Sequence, residues 1–219
     1  MERQEDALSA DFDARWGKID DEHRSFVSQF LAQLPPGGRV LDAACGTGKY
    51  FGMVLDSGRA VVGVDQSAGH LAVAAEKFPD VPTHKGLLVE LPFRNEFDGV
   101  MCVDAMEFVP PEDWPAVLER FGAALRPDGI LYLTVELSSE ELLLRANRES
   151  RRAGHPVVDG EAIWEEPNGY YHYHPPMDRV RGWLADAGFR IQEDAEGPWD
   201  DGEYAYHHVL ASLGGSSVR

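Results

Sequence analysis

The sequence is poor in cysteine, poor in cations and without a long apolar run. Only Cys45 and Cys102 occur in 219 residues, both inside apolar stretches. So few thiols exclude a disulfide scaffold and suggest small buried hydrophobes in a reducing compartment. Lysine and arginine number 20 against 38 aspartates and glutamates, a formal net charge of −18. A surface of that sign repels polyphosphate, which argues against DNA or RNA as a partner. The one basic cluster, Arg145, Arg148, Arg151 and Arg152, reads as a solvated helix face. No stretch approaches the roughly 18 consecutive apolar residues of a membrane span. The acidic opening Met1-Glu2-Arg3-Gln4-Glu5-Asp6 lacks the apolar core of a secretion signal. There is no internal repeat. The expectation is a cytoplasmic protein with no membrane partner; oligomeric state is not legible.

What is present is ordinary globular material, 43% hydrophobic and 26% charged. The length suits one domain over residues 1–213, with a flexible tail at 214–219. Residues 1–34 read as helical and as a lid, with Phe26, Phe30, Leu31 and Leu34 at helical spacing and Pro35-Pro36-Gly37-Gly38 as the stop. Short apolar runs then alternate with helical patterns. Strands are expected at Arg39–Ala44, Arg59–Asp65, weakly at Thr83–Val89, at Phe97–Val103 and at Ile130–Val135. Helices are expected at Lys49–Ser57, His70–Phe78 and Pro111–Leu125, the last stopped by the turn Arg126–Gly129. Near-continuous apolar strands spaced by helices mean a parallel sheet covered on both faces. A late helix, Met177–Ala187, precedes strands at Phe189–Glu193 and Tyr204–Ser212, which suggest an antiparallel addition. The whole reads as an α/β, doubly wound (Rossmann-like), mostly parallel seven-stranded sheet with one antiparallel strand near the C-terminus. Residues 136–176 form an insertion too long for a plain connection, and such segments are often functional.

The chemistry begins at Val40-Leu41-Asp42-Ala43-Ala44-Cys45-Gly46-Thr47-Gly48, a strand running into a glycine turn that opens a helix. In doubly wound folds ligands bind where such turns sit at a topological switch point. The next strand ends in Asp65, where a carboxylate can accept both hydroxyls of a ribose. A glycine turn plus a ribose acid points to a nucleoside. A dinucleotide fingerprint requires G-x-G-x-x-G, but Phe51 stands at the third glycine's place. Asp42 is ill suited to a pyrophosphate and well suited to an ammonium group. A ribose ligand with an amino-acid head fits better than NAD.

These residues resemble a known family. Asp42-x-Ala44-x-Gly46-x-Gly48 is similar to the first motif of the class I S-adenosylmethionine-dependent methyltransferases. Val64-Asp65-Gln66-Ser67 resembles their second-strand acid, Phe97–Asp104 their fourth-strand motif, and Leu125–Leu131 the turn before their fifth strand. The resemblance runs from about Val40 to Val135 and implies S-adenosylmethionine as cofactor. By that resemblance Asp42 holds the methionine amino group, and Ala44, Gly46, Thr47 and Gly48 make room for the cofactor. Asp65 binds the ribose, Gln66 borders the adenine, and Val103 and Asp104 face the methionine moiety. The family often places an acid against the adenine amino group; here Gly86-Leu87-Leu88 puts Leu87 in its place, leaving the backbone of Leu87 and Leu88 to read the base.

The remaining candidates concern the acceptor. Tyr170-Tyr171-His172-Tyr173-His174 closes the insertion, with His172 and His174 on one face of an extended chain and Tyr171 and Tyr173 on the other. It reads equally as a substrate wall with a histidine base or as an ordinary packed strand. Glu107 and Asp104 follow the fourth strand and Glu136 ends the fifth, each a substrate contact or a structural acid. Trp164 and Trp199 are candidate pocket aromatics or loop anchors, and Phe12 and Trp16 lid or helix-packing residues. A metal held by His172, His174, His207 and His208 lacks a carboxylate or cysteine at fixed spacing, so no metal is expected. The functional expectation is methyl transfer to oxygen, nitrogen or carbon of a small molecule. Its rivals are a cofactor-binding relative that catalyses another step and a nicotinamide oxidoreductase.

Overall fold

A computed structural model describes residues 13–14, 17–154, 162–165, 171–198 and 204–214. The first long helix, α1 (Asp21–Gln33), starts where Asp20 accepts the His23 amide at 2.8 Å, a side-chain N-cap. It is followed by β1 (Arg39–Ala43), α2 (Phe51–Asp56), β2 (Ala60–Asp65), α3 (Ala68–Lys77) and β3 (Thr83–Lys85). The weak third strand is thus only three residues long; a 3-10 turn at Leu88–Glu90 replaces the rest. Next come β4 (Phe97–Cys102), a 3-10 turn at Met106–Phe108, α4 (Trp114–Ala124) and β5 (Leu125–Ser138). α4 starts three residues later than its sequence pattern suggests, because Pro110–Asp113 close a separate turn through the Asp113 amide and the Pro110 carbonyl.

The turn expected at Arg126–Gly129 interrupts β5 as a bulge. Leu125 pairs with Phe97 and Ile130 with Gly99, so four residues are looped out opposite Asp98. Asp98 anchors both flanks, accepting the Arg39 amide at 2.7 Å and the Arg126 guanidinium at 2.6 Å.

The principal sheet has the order β3-β2-β1-β4-β5-β9-β8, where β8 is Phe189–Glu196 and β9 is Tyr204–Leu213. The first five strands run parallel, and β9 lies antiparallel to both neighbours. Alternate strand residues feed two cores. Val40, Val61, Met101 and Tyr132 pack with Phe30 and Phe51 from α1 and α2. Leu41, Val62, Val100 and Leu131 pack with Trp114 of α4 and Leu184 of α6 (Met177–Asp186). Burial on both faces is why the strands read as unbroken apolar runs. Close approach is enforced at Gly99, where a Cβ would stand 2.5 Å from the Phe30 ring.

The insertion is built of regular structure. After β5 comes α5 (Glu140–Ala153), capped by Ser139 through the Leu142 amide and ended by Gly154 at φ +79°. A two-stranded antiparallel ribbon follows, β6 (Ala162–Glu165) and β7 (Tyr171–His174). β7 lies against the 3-10 turn after β4, which brings the insertion to the carboxyl edge of the sheet. Among the described residues no helix is long and apolar enough to cross a membrane.

Candidate active site

The chain runs outward from β1 through β2 to β3 and then returns to β4 beside β1, so the carboxyl ends of β1 and β4 border a crevice. The glycine turn lines it. Ala44, Gly46 and Gly48 have φ of 65°, 53° and 77°. At Gly48 a side chain is excluded twice, by the left-handed backbone and by the Phe51 ring, 2.8 Å from where a Cβ would lie. Asp65, at the end of β2, clamps the turn: its carboxylate accepts the Gly46 amide and the Ser67 amide, each at 2.8 Å. With two oxygens and four lone-pair sites it retains capacity for further donors at the rim.

Asp42 differs. It is 2% exposed, and its Oδ2 has no hydrogen-bond partner. Burial first, and the neighbouring Asp65 charge second, push its pKa up to about 8. A buried carboxyl without a donor is costly unless a ligand supplies one. Thr47 of the turn and Lys77 of α3 both donate to Asp13, the latter at 2.7 Å. Gln66 and Leu88 are half-buried at the crevice edge, while Leu87 is 44% exposed, an uncovered apolar surface beyond β3.

At the end of β4 Val103 is buried on the α1 face, and Asp104 takes a left-handed φ of 52°. The Asp104 amide donates to Thr134 Oγ1 at 2.8 Å. Its carboxylate is occupied, 2.8 Å from His23 Nε2 and 3.3 Å from Lys49 Nζ. His23 Nδ1 in turn lies 2.6 Å from Asp20. Burial opposes the charge on Asp104, but the His23 bond and the two cations outweigh it and hold its pKa low. Asp104, expected to face the methionine moiety, is thus engaged in stapling α1 to the end of β4. Sequence reasoning missed His23, Lys49 and Thr134, because their partners lie 30 to 81 positions away.

Across the crevice the insertion contributes a second cluster. Glu136 Oε2 lies 3.2 Å from His172 Nδ1, and the His172 and His174 rings stack at 6.0 Å. Phe108 meets His172 edge-on at 5.0 Å. Glu107 and His174 are 3% and 4% exposed, and Glu107 Oε2 and His174 Nδ1 have no partner. Burial, then the charges of Glu136 and Asp104, hold the Glu107 carboxyl well above the usual range. Burial lowers the His174 pKa and keeps the ring neutral near pH 7. Tyr206, directly opposite Glu136 on β9, was not anticipated; its phenol is pushed up by burial and by Glu107.

Three expectations need adjustment. Tyr173, expected on the substrate wall, is fully buried, 6.3 Å from the Trp114 ring, because the pleat turns it into the α4 core. His207 and His208 do not join the other histidines. His208 bonds Tyr132 at 2.9 Å, stacked on Phe26, and His207 faces Asp194 at 3.6 Å. The carboxylate missing from the sequence spacing is supplied by Glu136. The backbones of Trp164 and Tyr171 lie opposite His172 and Glu165 in the ribbon, but their side chains, like Phe12, Trp16 and Trp199, fall outside the described residues.

Comparison with known proteins places this geometry in a context. Residues 40–129 match the family model described as a methyltransferase domain. A Streptomyces fradiae protein named dTDP-3-amino-3,6-dideoxy-alpha-D-glucopyranose N,N-dimethyltransferase is 34% identical over 52% of this chain and 47% of its own. An Arabidopsis thaliana tRNA (carboxymethyluridine(34)-5-O)-methyltransferase is 29% identical over 58% of this chain and 29% of its own. The chain therefore spans about half the length, or less, of these two relatives. Among solved structures, the Burkholderia thailandensis 1,6-didemethyltoxoflavin-N1-methyltransferase, with S-adenosylhomocysteine bound, superposes with a TM-score of 0.70. It is 19% identical and covers 98% of this chain and 91% of its own.

Proposed function

We propose that the chain, whose residues 40–129 match a methyltransferase-domain model, is a class I S-adenosylmethionine-dependent methyltransferase that methylates a small molecule held between the turn after β4 and β7. The cofactor-side residues fit the cofactor's chemistry. Asp42 offers an unsatisfied buried carboxyl to the methionine ammonium, and Asp65 offers its free lone pairs to the ribose hydroxyls. Gly46 and Gly48 leave the backbone open to close approach, and Gln66, Leu87 and Leu88 border the base. When bound, the cofactor supplies an electrophilic methyl group on a sulfonium. The bonds from Thr47 and Lys77 to Asp13 support an N-terminal lid that excludes water.

On the acceptor side Glu107, Glu136, His172 and His174 line the cleft, orient the acceptor and take its proton when the nucleophile is a hydroxyl or amine. Orientation in a dry site carries much of the rate of such a transfer. The observation that carries this reading is the pairing of two half-satisfied buried groups across one sheet edge: Asp42 on the cofactor side, Glu107 with His174 on the other. The −18 charge favours a small acceptor over a nucleic acid, and a cytoplasmic setting suits the two buried free thiols.

The test is incubation with methyl-labelled S-adenosylmethionine and pooled small metabolites or RNA. Label is expected in the small-molecule fraction, with S-adenosylhomocysteine formed in equal amount. With that acceptor, His174→Ala is expected to lower kcat by roughly 10²-fold with little change in cofactor affinity. Label confined to RNA, or cofactor binding without transfer to any pool, would contradict the reading.

A further inference from the structure

We propose that Glu136, His172 and His174 form a binding site for a divalent transition-metal ion on the acceptor side of the cleft. Glu136 stands near the end of β5, and the two histidines stand two apart on β7, so the pleat gives them one face. One donor atom from each residue lies within 4.8 Å of the other two, and Glu136 Oε2 and His172 Nδ1 are already 3.2 Å apart. Donors on a tetrahedral ion with bonds of about 2.0–2.1 Å stand roughly 3.3 Å apart. Small side-chain rotations therefore close the set.

A second observation points the same way. His174 Nδ1 is buried and has no partner. Among the described residues neither Glu107 nor Glu136 has a lysine or arginine partner. A lone acceptor in a dry pocket is costly, and a cation satisfies it. Two imidazoles with one carboxylate suit zinc, iron, cobalt or manganese better than magnesium or calcium, which prefer all-oxygen shells. Three protein ligands leave coordination positions open to an oxygen or nitrogen donor of the acceptor. Only the statement of what the ion touches rests on the methyl-transfer reading.

The experiment titrates the full chain, stripped by chelator, with Zn²⁺ or Co²⁺ alone. One equivalent is expected to bind, with visible d–d absorption for cobalt. The isosteric Glu136→Gln is expected to weaken binding at least tenfold, and His172→Ala/His174→Ala to abolish it, while His207→Ala leaves it unchanged. Circular dichroism checks that each variant is folded; should the double variant unfold, Glu136→Gln carries the test. The absence of stoichiometric binding, or binding undiminished in the folded Glu136→Gln variant, would overturn the site. A parallel titration with S-adenosylhomocysteine separates the two readings: binding there without metal binding defeats only this site, and the reverse defeats only the methyltransferase reading.

Discussion

Asp42 and Asp65 are both carboxylates at the carboxyl end of a parallel strand, yet their surroundings set them different tasks. Asp65 accepts two backbone amides. Asp42 is sealed beneath it with one oxygen unpartnered, and burial together with the Asp65 charge raises its pKa to about 8. The sign follows directly. At pH 7 the free protein carries Asp42 mostly protonated, whereas a bound ammonium favours the carboxylate. Binding of S-adenosylhomocysteine is therefore expected to release up to one proton at pH 7, and affinity is expected to rise with pH toward 8. Calorimetry in two buffers of different ionisation enthalpy measures that release; equal heats in both would place the ammonium elsewhere. Both acids stood out in the sequence because each belongs to an apolar strand that runs into a turn. The Asp104–His23 pair did not, because nothing in a single sequence links positions 81 apart.

At the scale of elements, α1 illustrates what periodicity reveals and what it leaves out. Phe26 and Phe30 at helical spacing announced a buried face, and they fill one core. The same helix also carries His23, which bridges Asp20 and Asp104 and packs against Tyr206 and His208. Burial works against a charge on His23, but bonds to and attraction from Asp104 and Asp20 outweigh it, so its pKa is raised above 6.5. A raised folded-state pKa contributes stability that is fully present below about 6.5 and is lost as pH rises through the folded value. The thermal midpoint is therefore expected to fall as pH rises from 6.5, and His23→Gln to be less stable at pH 6 with that slope gone. Thermal scans across pH measure it; an unchanged slope would detach His23 from the staple. The insertion shows the opposite case. Its length marked it as functional ground, and the basic cluster at Arg145–Arg152 read as a helix face, which lies on α5, but the pairing of β6 with β7 was not read, because a short strand without a recognisable turn resembles loop. The strand pattern at Tyr170–His174 correctly put both histidines on one face. It could not say that Tyr173 would meet Trp114, a contact set by how β7 docks on α4.

For the whole molecule, sheet order and the crevice at β1 and β4 follow from rules that act over the entire chain. Parallel strands need crossovers, both faces need cover, and a reversal of winding leaves a gap at the carboxyl ends. The antiparallel β9 was legible as a late strand pair, since only a β8–β9 return brings the chain back into the sheet. The cluster of Glu136, His172 and His174 was not legible as a unit, because its members come from two separate segments that meet only when β7 folds against β5. On the proposed function, the β1–β4 crevice is built for the S-adenosyl cofactor. Parallel calorimetric titrations of the wild type and Asp65→Ala with S-adenosylmethionine, S-adenosylhomocysteine and NAD test it most directly. The prediction is one-to-one binding of the first two by the wild type, none of NAD, and a loss of about 1.5–3 kcal/mol in Asp65→Ala, the worth of hydrogen bonds to a charged group. Failure of both S-adenosyl ligands to bind, or affinity unaltered by Asp65→Ala, would contradict it.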